Sequence, residues 1–207
     1  MSDKYLFISG WAGYPDFFPR LSSRTCFVLP FVTHTETGIK TLLKYSWDMV
    51  LGWSLGAHLC LQNLDVIQTR HLCLIAPFLD FTRHTPLSKV QEMLQGMQVN
   101  PEVTVRWFWR RGGIKYGPGI PREDLQGLEA GLRYLVQPKA LELNENVTYP
   151  DTIIIHGTGD RIVSRAAAME VHRALLGSNI FSVPEGHFIP EEIISELINE
   201  HTGAKIL

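Results

Sequence analysis

Six short apolar runs punctuate the chain: YLFI (5–8), TCFVL (25–29), DMVL (48–51), HLCLIA (71–76), TIII (152–155) and NIFSV (179–183). Each is nearly continuous rather than alternating, as expected of strands covered on both faces, so the runs predict a mostly parallel sheet. Helix-compatible segments lie between them, most clearly Leu55 to Gln68, Arg165 to Leu176 and Pro190 to His201. The last opens with PEEIISELI, placing proline and two glutamates in the first turn, where a missing N–H is tolerated and negative charge is favoured. Such βα alternation predicts an α/β fold with helices on both faces of the sheet.

The alternation stops between Phe81 and Asn146, which contains no clear buried strand. Amphipathic pieces occur there (LSKVQEMLQGM, VTVRWFWRR and REDLQGLEAGLRYL), interrupted by the glycine- and proline-rich GGIKYGPGIP. They predict a helical cap inserted at about 81–146 into a single domain spanning 1–207. No internal repeat or low-complexity tract is present.

A chain of 207 residues suffices for one domain with a substantial core, and 45% hydrophobic against 19% charged residues is a globular rather than a disordered composition. Nineteen basic against twenty-one acidic residues leave a net charge of -2, so no global field draws the chain to nucleic acid or to an anionic membrane. No apolar run approaches the length of a membrane span, and MSDKYLFISGW is too poor in apolar residues for a signal-peptide core. The expectation is a cytoplasmic protein. Cys26, Cys60 and Cys73 sit among apolar neighbours without CxxC spacing, and read as buried thiols in a reducing compartment. The histidines are scattered, without metal-ligand spacing, and neither GxGxxG nor a P-loop occurs; no metal or cofactor is expected.

Chemistry enters with LGWSLGAHLC (51–60), where Ser54 stands between Gly52 and Gly56 at a change from strand-like to helix-like sequence. Small residues on either side let the chain bend sharply and project the serine oxygen above the sheet. The plain alternative is a turn or helix-cap serine. A serine hydroxyl becomes a nucleophile only when a base takes its proton, and the base needs an orienting carboxylate. Asp160, in HGTGDRIVS after TIII, and His187, in VPEGHFIP after NIFSV, both fall where open α/β sheets place their sites. Taken singly, they read equally as an Asx-turn residue and a loop histidine. Asp80, after HLCLIAPFL, is the alternative acid. An oxyanion also needs donors. The amide of Leu55 is one, and FISGWAGYP (7–15) supplies the other from Trp11, with Ala12 as the alternative and Gly10 and Gly13 permitting close approach. The competing reading is a glycine turn with Trp11 in the core.

These four motifs, GWSLG, HGTGDRIV, EGH and SGWAG, together resemble the α/β-hydrolase family. The paired tryptophans of GWAG and GWSLG look most like the esterases that cleave the methyl ester of pimeloyl-acyl carrier protein in biotin synthesis. The resemblance implies a cofactor-free serine esterase with catalytic Ser54, Asp160 and His187, oxyanion donors Trp11 and Leu55, and a cap whose arginines meet an acidic carrier protein. Two departures are visible. SG (Ser9, Gly10) replaces the usual HG, and the chain starts at the strand before the oxyanion loop, an N-terminally reduced version with a short Phe31–Trp47 segment. In the cap, Arg106 and Arg110 lie one helical turn apart, with Arg111 and Lys115 close behind, while Val105, Phe108 and Trp109 can pack downwards. The basic face suits the phosphopantetheine phosphate or the carrier surface, and a solvated helix face is the alternative. Trp107 and Trp109 suit an acyl pocket or plain packing. His58 reads as a packed or surface histidine rather than a site residue. Rival functions are a short-chain carboxylesterase, a thioesterase, a lyase on the same fold, and a non-catalytic binding protein.

Overall fold

All six apolar runs become strands. The computed structural model describes residues 4–137 and 149–207, and the end of the expected cap, through Asn146, lies outside them. The strands are β1 (Tyr5–Ile8), β2 (Cys26–Val28), β3 (Ser46–Trp53), β4 (Gln68–Ile75), β5 (Asp151–Gly157) and β6 (Asn179–Val183), ordered β2-β1-β3-β4-β5-β6 with every pairing parallel. Their central residues, such as Leu6, Phe7, Val50, Leu51, Leu74 and Ile154, are fully buried, which explains why the runs are continuous.

Helices fill the connections: α1 (Pro19–Arg24), α2 (Glu36–Leu43), α3 (Leu55–Leu61), α8 (Arg165–Ala174) and α9 (Glu191–Thr202). Sequence periodicity predicts α3 through Gln68, but the helix ends at Leu61. Beyond it Asn63 turns the chain, its amide group donating to the Leu59 carbonyl at 2.8 Å, and β4 begins at Gln68. Between β4 and β5 the chain forms α4 (Phe81–His84), α5 (Leu87–Val99), α6 (Pro101–Gly112) and α7 (Leu125–Leu135). The Asn100 side chain caps α6 by accepting from Val103 N–H, and Gly113 ends it in the left-handed conformation.

One cysteine departs from expectation. Cys60 and Cys73 are buried, burial pushing the Cys60 thiol up to about 12, whereas Cys26 is exposed because it opens β2, the edge strand. Among the described residues, no helix is long and apolar enough to cross a membrane.

The chain leaves β1 for β2 on one side and returns to place β3 on the other. A crevice forms at such a reversal, outside the carboxyl ends of the strands. The non-glycine residues with positive φ gather there: Ala12, Phe31, Ser54 and Ala76 follow β1, β2, β3 and β4 in turn.

Candidate active site

Ser54 joins β3 to α3 with φ 53° and ψ -111°, a conformation costing on the order of 1–3 kcal/mol. Its backbone is held on both sides, the N–H donating to Ile75 O at 2.8 Å and the carbonyl accepting from His58 N–H at 3.0 Å. Glycine is required beside it. A Cβ on Gly56 would collide with the carbonyls of Ile8 and Ser9, and one on Gly52 would meet Ala57 Cα at 2.7 Å. Although Ser54 occupies the N-cap position of α3, its side chain makes no capping hydrogen bond, so the helix-cap reading fails. The residue is 6% exposed.

Asp160 and His187 meet, with His187 Nδ1 donating to Asp160 Oδ2 at 2.8 Å and side-chain exposures of 1% and 0%. The other carboxylate oxygen accepts from the amides of Ile162 (2.7 Å) and Val163 (2.9 Å). Burial alone raises the pKa of Asp160, but His187 and the two backbone donors outweigh it and hold the carboxyl below its ordinary value. The pair therefore fixes His187 with Nδ1–H toward the carboxylate. Its Nε2 is buried and has no hydrogen-bond partner among the described residues, so no hydrogen bond joins His187 to Ser54. Trp53, next to Ser54, holds the histidine loop by donating Nε1–H to His187 O at 3.0 Å, and its ring lies 5.4 Å from the imidazole. Asp80 is elsewhere engaged, capping α4 through Thr82 N–H (2.8 Å) and the Thr82 hydroxyl (2.7 Å).

The loop after β1 lies beside this turn. Ser9 donates its hydroxyl to Gly13 O at 2.6 Å and closes the loop from within. A Cβ on Gly13 would strike the Ser9 hydroxyl and would stand 2.7 Å from the Trp53 ring, so this close approach requires glycine. The Trp11 amide meets no acceptor among the described residues, and Leu55, the first residue of α3, has no intrahelical acceptor for its own. The Trp11 ring is buried, its Nε1–H donating to Leu128 O at 2.7 Å; the core reading of the ring and the donor reading of its amide hold together.

Sequence reasoning missed one residue of this region and the role of another. Trp109 of α6, read from the sequence as packing or pocket lining, donates Nε1–H to Ala12 O at 2.8 Å, bridging residues 97 apart in sequence. His156, at the end of β5, is 2% exposed with Nδ1 unpartnered among the described residues, and burial lowers its pKa. The bond from Trp109 could not be found from local pattern, whereas a histidine in a continuous apolar strand was a visible signal.

The cap residues separate. Arg106 is committed to Glu102 one turn away, at 3.0 and 2.9 Å, while Arg110 is exposed and Arg111 lies over the Trp107 ring at 5.7 Å. Lys115 is exposed. Val105, Phe108 and Trp109 pack inward, but Trp107 is 48% exposed and borders a cavity of about 340 Å³. A second, apolar cavity of about 20 Å³ touches Ser54, Trp11, Phe78 and Phe108. His58 is buried, stacked on Phe78 at 4.9 Å, which places it in the packing.

No protein-family model and no curated protein matches the sequence. Solved structures do match the fold. An esterase (EaEST) from Exiguobacterium antarcticum aligns over 98% of this chain and 93% of its own, with TM-score 0.73 and 17% identity. Carboxylesterase CesB (YbfK) from Bacillus subtilis aligns over 98% and 85%, with TM-score 0.62 and 15% identity. The type II thioesterase BorB from the borrelidin biosynthetic cluster aligns over 98% and 92%, with TM-score 0.65 and 14% identity. The chain has the α/β-hydrolase fold.

Proposed function

We propose that the protein is a serine hydrolase that cleaves a carboxylic ester through an acyl-enzyme intermediate. The observation that carries this reading is the buried Asp160–His187 pair, which leaves His187 Nε2 unpartnered among the described residues and is tied through Trp53 to the strained turn that holds Ser54. Ser54 Oγ attacks the ester carbonyl while His187 Nε2 takes its proton, and Asp160 holds the imidazole tautomer and stabilises the imidazolium. The amides of Leu55 and Trp11 receive the oxyanion. His187 then protonates the leaving alcohol, and water repeats the sequence to release the acid. Helices α4 to α7 act as a cap over this chemistry.

The test is intact mass after treatment with a fluorophosphonate. A single adduct on the wild type, mapped to Ser54 and absent from Ser54→Ala and His187→Ala, is expected. No adduct under conditions that label a control hydrolase would overturn the reading in favour of a binding protein.

A second reading takes the methyl ester of pimeloyl-acyl carrier protein as substrate. The paired Trp11 and Trp53 motifs favour it, and Arg110 and Arg111 are among the cap cations without a carboxylate partner among the described residues. Arg106, held by Glu102, is the weakest of the three for this role. Cleavage of methyl pimeloyl-carrier protein far above a simple short ester supports this reading, whereas equal weak rates on both return the assignment to a general short-chain esterase.

A further inference from the structure

The two cavities differ in character and share a wall. The small one touches Ser54 and is otherwise lined by apolar side chains, with little more room than one water-sized sphere. The large one reaches the surface between α5, α6 and the loop carrying Asp160, and Phe81, Val90, Met93, Phe108 and Ile162 line both. Met93, an unbranched thioether, is among these.

The charged side chains that line the large cavity are predominantly cationic. Lys89, Arg111 and Arg161 border it against one carboxylate, Asp160, whose two oxygens are already taken by His187, Ile162 and Val163. Lys89 pairs with Glu92 at 2.9 Å, and the nearby His84 pairs with Glu170 at 3.0 Å. Arg111 and Arg161 come from different elements and have no carboxylate partner among the described residues. Arg111 is further ordered by lying over Trp107. Two guanidinium groups at the mouth of a cavity present forked donors that match a carboxylate.

Position relative to Ser54 assigns the halves of the ester. The acyl group stays on Ser54 after the first bond breaks, so it belongs in the small apolar cavity that touches Ser54, which admits only a short chain. The alcohol must leave, so it belongs in the large one. We propose that the substrate is a short-acyl ester whose alcohol half carries a carboxylate, and that Arg111 and Arg161 bind this carboxylate in the outer cavity. This rests on the ester-hydrolase reading. In the step itself, Ser54 Oγ bonds to the acyl carbon and the acyl carbon–alkoxy oxygen bond breaks. The serine proton passes through His187 to the departing hydroxycarboxylate, and water then releases the short acid and restores Ser54.

The discriminating pair is 4-acetoxybenzoate and its neutral isostere 4-acetoxybenzamide, each rate corrected for the intrinsic hydroxide reactivity of its ester. The wild type is expected to prefer the carboxylate by about tenfold in kcat/KM, chiefly through KM, and to lose that preference as salt is raised. Arg111→Gln with Arg161→Gln is expected to bring the ratio near unity, and the corresponding double change to Glu to invert it, with fluorophosphonate labelling of Ser54 reporting that the site is assembled. Equal selectivity in a wild type that takes the label overturns this proposal and leaves the hydrolase reading standing, as does a preference that survives the double change. A wild type that cleaves neither ester and takes no label overturns both.

Discussion

At the scale of single residues, the site is held by partners far away in sequence. Trp109 is the clearest case. Its indole N–H satisfies the carbonyl of Ala12, a residue at φ 51°, directly after the proposed donor Trp11. Removing the donor leaves a buried carbonyl unpaired, a loss of about 1–3 kcal/mol, and frees the loop to relax from its strained conformation. Trp109→Phe is therefore expected to lower kcat about tenfold while KM changes little, with Ser54 still labelled at a reduced rate. A parallel rise in KM with kcat intact would assign Trp109 to packing alone. The positions of Ser54, Asp160 and His187 after β3, β5 and β6 were legible because each follows its own apolar strand, and strand ends in this architecture lie along one edge of the sheet. The bond from Trp109 to Ala12 was not legible, since only the packing of α6 over the β1 loop creates it. The expected burial of Cys26 failed for a related reason: an apolar neighbourhood does not reveal that a strand lies at the edge of its sheet.

At the scale of elements, the turn from β3 into α3 depends on two close approaches. Every residue from Leu55 to Leu61 is buried, so α3 has no solvent face on which to shift. A methyl group at Gly56 meets backbone carbonyls of β1 and its following loop, which cannot swing aside as a side chain tip can. Gly56→Ala is expected to destabilise the fold by about 3 kcal/mol or more and to abolish fluorophosphonate labelling. Gly119→Ala, where a Cβ meets nothing within 4 Å, is the control and is expected to leave the thermal midpoint almost unchanged. Equal midpoints for the two variants would show that α3 is free to move. All six strands were readable from continuous apolar runs. Neither α1 nor α2 was, because α1 buries only Leu21 over six residues and α2 buries only Ile39 and Leu43, too few for a helical period to stand out.

At the scale of the whole molecule, acid stability should decay in two stages whose order follows from which groups are buried. His156 is buried with its pKa lowered, chiefly by desolvation, from an ordinary value of 6.5. Asp160 also interacts with it and favours the charged form, while His187 and Arg165 oppose it. Above pH 6.5 the histidine is neutral in both folded and unfolded chains and costs nothing. As pH falls through that value the unfolded chain takes up a proton that the folded protein refuses, and stability declines by at most about 1.4 kcal/mol per pH unit until the folded pKa is reached. The carboxylates act lower. Asp80, Asp160 and Glu170 are all held below their ordinary values of 3.8, 3.8 and 4.5, so their contribution is complete above those values and is lost as pH falls through the depressed folded ones. Glu170 accepts from Arg83 and His84 of α4 and thereby ties the excursion between β4 and β5 to α8, so its protonation loosens that junction as well as the fold. Thermal midpoints measured from pH 8 to pH 3 are expected to fall first as pH drops below 6.5 and again below pH 4.5. His156→Gln is expected to flatten only the first limb, and Glu170→Gln only the second. A first limb unchanged in His156→Gln would mean that the histidine titrates alike in both states, and that its unpartnered nitrogen is reached by water in the folded protein.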